Sequence, residues 1–169
     1  MVVKLTSMFY PIVVPLRHCL ATQRHNKILK LILNCLKLHA STDCYIFADL
    51  TVDETRPISS LFHTLRPNVA IICKDTIEIL ELTVCHGTNF THSKIFKVNK
   101  DKDRLKDCLN DKYKHFKLLI HTFEISPIGI FNKFSLLSID IVRSDSFINN
   151  LITSAISSSF GVYCDRNKM

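Results

Sequence analysis

An amide, a carboxylate and two amines stand at spacings that a strand pair and the helix after it can gather: Asn68, Glu81, Lys94 and Lys97. Asn68 and Glu81 are thirteen positions apart, with Lys74 and Asp75 between them as a turn, so a hairpin brings both side chains to one place. Side chains alternate along a strand. Glu81 therefore shares a face with Ile77, Ile79 and Thr83, while Glu78 goes with Leu80, Leu82 and Val84. A carboxylate among isoleucines is costly without a partner, and a metal ion or a lysine would supply one. Lys94 and Lys97, one turn apart on the following helix, can reach the same mouth.

The elements that must position these groups follow from periodicity. Leu65 to Val84 reads as the two strands of the hairpin. Upstream, Gln23 to His39 is a helix with Lys27, Lys30, Asn34 and Lys37 in a narrow polar stripe and a wide apolar face, ended by Ala40-Ser41-Thr42-Asp43. Residues 1 to 22 lack clean periodicity, are interrupted by Pro11 and Pro15, and read as an extended arm or edge strand. Cys44 to Leu50 has the β-branched and aromatic content of a strand, and Thr51 to Leu65 is a loop.

Downstream, Gly87 marks a turn, and Phe90 to Tyr113 reads as a charged helix; Lys97 to Lys117 carries seven Lys and one Arg against four Asp, a local net charge of +4. Lys117 to Ile125 is a third core-type strand, Phe134 to Val142 is a strand or the start of a helix, and Ser144 to Phe160 is a helix that Asp145 or Ser146 can cap. The tail GVYCDRNKM is polar. This order gives a mixed α/β layer fold, with residues 1–22 as an arm and residues 23–167 as a single domain.

The 169 residues suit one domain with a core, since 47% are hydrophobic and 22% charged. The net charge of +7 and pI near 9.1 favour a polyanionic partner; a merely basic surface is the alternative. The seven cysteines contain no C-x-x-C pair, which argues against zinc ribbons and redox motifs; reduced thiols in a nuclear or cytoplasmic protein are expected. No stretch has the ~20 apolar residues of a membrane helix, and the N-terminus lacks a signal-peptide cleavage site. Phosphate-loop, dinucleotide, nucleophile-elbow and zinc-protease strings are missing, and three glycines hardly supply a phosphate cradle.

Arg66-Pro67-Asn68 before an apolar strand, then Ile79-Leu80-Glu81-Leu82-Thr83, then Asn89-Phe90 with Lys97 and Lys100, resembles the PD-(D/E)XK, restriction-endonuclease-like domain of retrotransposon polyproteins. Arg24-His25-Asn26, Ala48-Asp49-Leu50 and the terminal Cys164-Asp165-Arg166-Asn167 agree more loosely. The resemblance covers roughly residues 23 to 167 and implies a mixed central sheet flanked by helices, in a stand-alone remnant of the polyprotein. It assigns Asn68 and Glu81 as metal ligands for Mg²⁺, and Lys97 or Lys94 as the amine that positions the attacking water. It also implies a nucleic-acid surface of Arg24, His25, Arg66, Lys100, Lys102 and Arg104, with DNA as the first partner and RNA as the second. Capping of a helix by Asn26 is the other reading of the Arg24-His25-Asn26 triplet.

Asn68 stands where that family has Asp, and this departure governs the functional expectation. A neutral amide oxygen replaces one of two negative charges, so Mg²⁺ affinity is expected to be weak or lost and cleavage impaired. Asp53 or Glu54 could substitute, whereas Glu78 points to the wrong face. The alternatives are a working Mg²⁺-dependent nuclease, a non-catalytic interaction module or an unselected relic. A simple Glu81–Lys97 or Glu81–Lys94 ion pair would explain the carboxylate without any metal.

Overall fold

The β-branched runs of the sequence meet in one five-stranded sheet, and the computed structural model describes residues 13–39, 42–50, 55–131 and 144–166 around it. The strands are β1 (Cys44–Ala48), β2 (Arg56–Pro57), β3 (Val69–Cys73), β4 (Thr76–Val84) and β5 (Lys117–Ile125), in the spatial order β2-β1-β3-β4-β5. β3 pairs antiparallel with both β1 and β4, while β2 pairs parallel with β1 and β5 parallel with β4. The β3–β4 turn is the expected Lys74-Asp75 pair, with Lys74 at φ 55°. Three helices flank the sheet among the described residues: α1 (Val13–His39), α2 (Phe90–Cys108) and α3 (Asp145–Arg166).

Alternation along the strands divides the core in two. Leu80 and Leu82 of β4, Phe123 and Ile125 of β5, and Val69 of β3 bury against Ile28, Leu29, Ile32, Leu33 and Leu36 of α1 and Leu151 and Ala155 of α3. On the other face, Ile77 and Ile79 of β4 with Ala70 and Ile72 of β3 pack against Leu105 of α2, Leu109, and Ile58, Leu61 and Phe62 of the β2–β3 connection. The expected mixed α/β fold and its flanking helices are therefore present, and the apolar stripe of α1 faces the sheet as its periodicity requires.

Several expectations change at element ends. Residues 13–22 are the first turns of α1 rather than an arm; Pro15 is third in the helix, where no intrahelical N–H bond is yet made and a ring nitrogen costs nothing. Residues 1–12 lie outside the described residues. Asn26 is consequently well inside α1 and cannot cap it. α2 stops at Cys108, short of Tyr113, because Leu109 turns extended and buries against the other chain segment: Phe62 and Leu109 form a β-bridge, flanked by His63 N–H to Cys108 C=O and Asn110 N–H to Leu61 C=O at 3.0 Å each. A short 3₁₀ turn, Asp111–Tyr113, follows. α3 continues through Gly161 to Arg166 where a polar tail was expected. The segment 134–142 lies outside the described residues.

The uniformly reduced cysteines expected from the sequence are corrected at one pair. Cys44 and Cys73 stand directly opposite in the β1–β3 ladder and form a disulfide. Strand register brings them together across 29 residues of sequence, which no spacing motif announces. Cys35, Cys85, Cys108 and Cys164 carry no disulfide. No helix among the described residues is long and apolar enough to cross a membrane.

Candidate functional site

Glu81 lies late in β4 on the α2 side of the sheet, continuing the row Ile77, Ile79, and it is only 4% exposed. Lys97, two turns into α2, reaches down so that its Nζ stands 2.7 Å from Glu81 Oε2. The lysine side chain keeps 30% exposure, which leaves its stem on the protein and its ammonium between the carboxylate and solvent. The position of α2 over this face is set by Leu105 in the apolar cluster and, at its first turns, by the Ser93 hydroxyl donating to Cys85 Sγ at 3.5 Å. A buried carboxylate and a lysine from the next helix thus meet as the spacing of Glu81 and Lys97 suggested.

Asn68 approaches from the β3 side. Val69 pairs with Leu80, so the antiparallel register carried one residue further sets Asn68 opposite Glu81. Its Oδ1 accepts a 2.7 Å hydrogen bond from the Leu82 N–H, extending the ladder with a side chain where backbone pairing ends. The Asn68 backbone carbonyl also accepts from the Asp49 N–H at 3.1 Å, tying the site to β1. Asn68 is therefore a pinned, half-buried residue whose amide oxygen already holds a backbone donor.

The remaining residues separate into three groups. Lys94 and Arg104 are exposed along α2, on the same element as Lys97. Lys100 and Lys102 belong to the α2 backbone, and their side chains lie outside the described ones. Arg66 is exposed and pairs loosely with Asp49 at 3.9 Å, just before Asn68. Arg24 and His25, however, sit on α1, whose apolar side packs on the opposite face of the sheet from Glu81. Arg24 Nη1 donates to Ser159 Oγ of α3 at 3.3 Å, and His25 Nδ1 is 3.3 Å from Asn26 Oδ1. Both thus lie on the helix that covers the face of the sheet opposite to Glu81 and Lys97.

Asp53 and Glu54 lie outside the described residues. Glu78 faces away from Glu81 as alternation requires, with its Oε2 3.5 Å from His121 Nε2. No three of His, Cys, Asp and Glu gather as metal ligands among the described residues.

One acidic residue of this face was not singled out in the sequence. In the parallel β4–β5 ladder Glu81 pairs with Thr122 and Thr83 with Glu124. Phe123 and Ile125 point into the α1–α3 core, so Thr122 and Glu124 point to the α2 side with Glu81. Glu124 is 0% exposed and Thr122 5%. The signal was available in KLLIHTFEI: a glutamate inside an apolar strand, the same anomaly that marks Glu81. What the letters do not carry is that β5 lies parallel to β4 in this register.

No protein-family model matches the sequence, and no curated protein matches it.

Proposed function

We propose that this chain is a retroelement-derived, restriction-endonuclease-like domain that binds nucleic acid and whose phosphodiester cleavage is impaired. The observation that carries the reading is the Glu81–Lys97 pair at 2.7 Å with Asn68 in the facing register position: an acid, an amine and an amide contributed by β4, α2 and the start of β3. The same arrangement with Asp at position 68 would offer a hard divalent cation two carboxylates beside a lysine, the parts of metal-assisted phosphodiester hydrolysis. Asn68 supplies no charge, and its oxygen is held by the Leu82 N–H, so the β3–β4 side of Glu81 is a poor Mg²⁺ site. Retained binding is supported by the net charge of +7 and by the basic sequence of α2. DNA in the nucleus or cytoplasm is the favoured target, with RNA second.

Binding to a phosphate backbone releases counterions, so affinity must fall steeply with salt. For about four neutralised phosphates, raising salt from about 50 to 200 mM costs on the order of a hundredfold in affinity. Fluorescence anisotropy with duplex DNA and with RNA of the same sequence measures this. A flat salt response, or no binding at low salt, defeats the reading. Incubation with DNA and Mg²⁺ or Mn²⁺ separates impaired from working chemistry: the native chain is expected to cleave weakly or not at all, and Asn68→Asp to gain cleavage that Glu81→Ala lacks. Strong cleavage by the native chain, abolished in Glu81→Ala, would instead establish an active nuclease.

A further inference from the structure

Glu81 has neighbours on both sides of β4, and only the β3 side is the Asn68 side. On the β5 side the face continues with Thr122 beside Glu81 and Glu124 beside Thr83. Two residues of rise and one strand spacing separate the Cα atoms of Glu81 and Glu124 by roughly 8 Å, a distance two glutamate side chains can close upon a single cation. Both carboxylates are nearly excluded from solvent, at 4% and 0% exposure.

Thr122 is an independent pointer to a ligand at this place. It is 5% exposed, stands opposite Glu81 and two residues before Glu124, and its Oγ1 is buried with no hydrogen-bond partner among the described residues. Thr83 Oγ1, beside Glu124, is buried in the same condition. A buried hydroxyl with no partner loses its hydration without compensation, and proteins seldom leave one so, let alone two on one face next to two acids. Two carboxylates, neutral oxygens and a few waters make the oxygen environment that Mg²⁺ and Mn²⁺ accept; such ions are held by one or two carboxylates and keep several waters.

We propose that Glu81, Glu124 and the Thr122 hydroxyl form a divalent-cation site on the β4–β5 side of the face, on the far side of β4 from Asn68. Glu124 thereby restores the second negative charge that the amide does not provide. Lys97, already on Glu81 Oε2, remains at the rim and offsets charge when the cation is absent. The site rests on the endonuclease-like reading for its place on the sheet, but its occupancy is a separate property from nucleic-acid binding. A cation held there would lie on the β5 side of Glu81, away from Asn68, so that metal binding and impaired cleavage would go together.

Titration of the full chain with Mn²⁺, read by electron paramagnetic resonance and by calorimetry, tests this. One Mn²⁺ per chain is expected, competed by Mg²⁺. Glu124→Gln and Glu81→Gln should each weaken it by about tenfold or more, and Thr122→Val by a smaller factor. Glu78→Gln, on the opposite face of the sheet, should change it less than about threefold. Circular dichroism checks the folding of each variant, and Glu124→Asp, which keeps the charge but withdraws the oxygens, gives the same readout if Glu124→Gln does not fold. Absence of stoichiometric Mn²⁺ binding by the native chain overturns the proposal, as does binding that Glu124→Gln leaves unchanged. Anisotropy on the same samples without metal keeps the two readings apart. Salt-dependent DNA binding with no Mn²⁺ site sinks only the cation site, and a Mn²⁺ site without DNA binding sinks only the nucleic-acid reading.

Discussion

Replacing Lys97 by Met removes the ammonium that stands 2.7 Å from a carboxylate of 4% exposure. Breaking a fully buried pair costs about 3–5 kcal/mol; with the lysine side chain 30% exposed, about 2–3 kcal/mol is expected in urea unfolding. Glu81→Gln combined with Lys97→Met should recover part of that loss, and a coupling energy near zero would show the pair to be without energetic consequence. Asn68→Leu, by contrast, acts on the backbone: it strands the Leu82 N–H and should cost about 1–3 kcal/mol, whereas Asn68→Asp retains an acceptor. Cys35 illustrates burial acting on a titration. Burial pushes its thiol above the ordinary 9.0, so the folded chain holds a proton that the unfolded chain releases. That contribution to stability is complete below about 9 and is lost as pH rises through the folded value. Cys35 should accordingly resist alkylation at pH 8 until urea is added; equal rates in both states would contradict its burial. Glu81 was legible among the letters because an acid in an isoleucine row is conspicuous. Glu124 carries the same mark, but its partnership with Glu81 depends on a strand pairing between segments about forty residues apart.

At the level of elements, periodicity located the central strands and helices, and tertiary contacts decided several of their ends. β5 spans Lys117–Ile125 as its apolar run required, and β4 ends at Val84 as alternation suggested. α2 was shortened because Leu109 gains more from the Phe62 bridge and burial than from another helical turn. α1 was lengthened because a proline in the first turn does not interrupt a helix. The turn after β5 has a similarly local requirement. Gly129 is at φ 80°, and a Cβ there would stand 2.8 Å from Ile152 Cγ2 on α3. Gly129→Ala should therefore lower stability by about 1–3 kcal/mol, through both the left-handed backbone and the contact with α3. A thermal melt unchanged by this substitution would mean that the turn and α3 adjust without cost.

For the whole molecule, the sheet is the shared wall of two cores, one under α1 and α3 and one under α2. A wall common to both cannot keep its strands in register when either side is lost, so the described domain should unfold in a single transition. Leu33→Ala in the first core and Leu105→Ala in the second should each cost about 2–5 kcal/mol and move the whole transition. Two separated transitions in either variant would show the faces to be independent. The same partition explains why Arg24 and His25 do not join Glu81: they belong to a helix that covers the other side of the wall.

The letters alone determined the mixed α/β class, the hairpin around Lys74-Asp75, the face on which Glu81 lies and the helix from which Lys97 reaches it, because side-chain periodicity and turn chemistry are local properties. Only the tertiary structure decided that β5 runs parallel beside β4, that Cys44 meets Cys73, that the Arg24 triplet is across the sheet and that Glu124 shares a buried face with Glu81. Those outcomes depend on which distant segments pair and in what register, a choice made by the collective burial of both faces of the sheet and written in no single stretch of sequence.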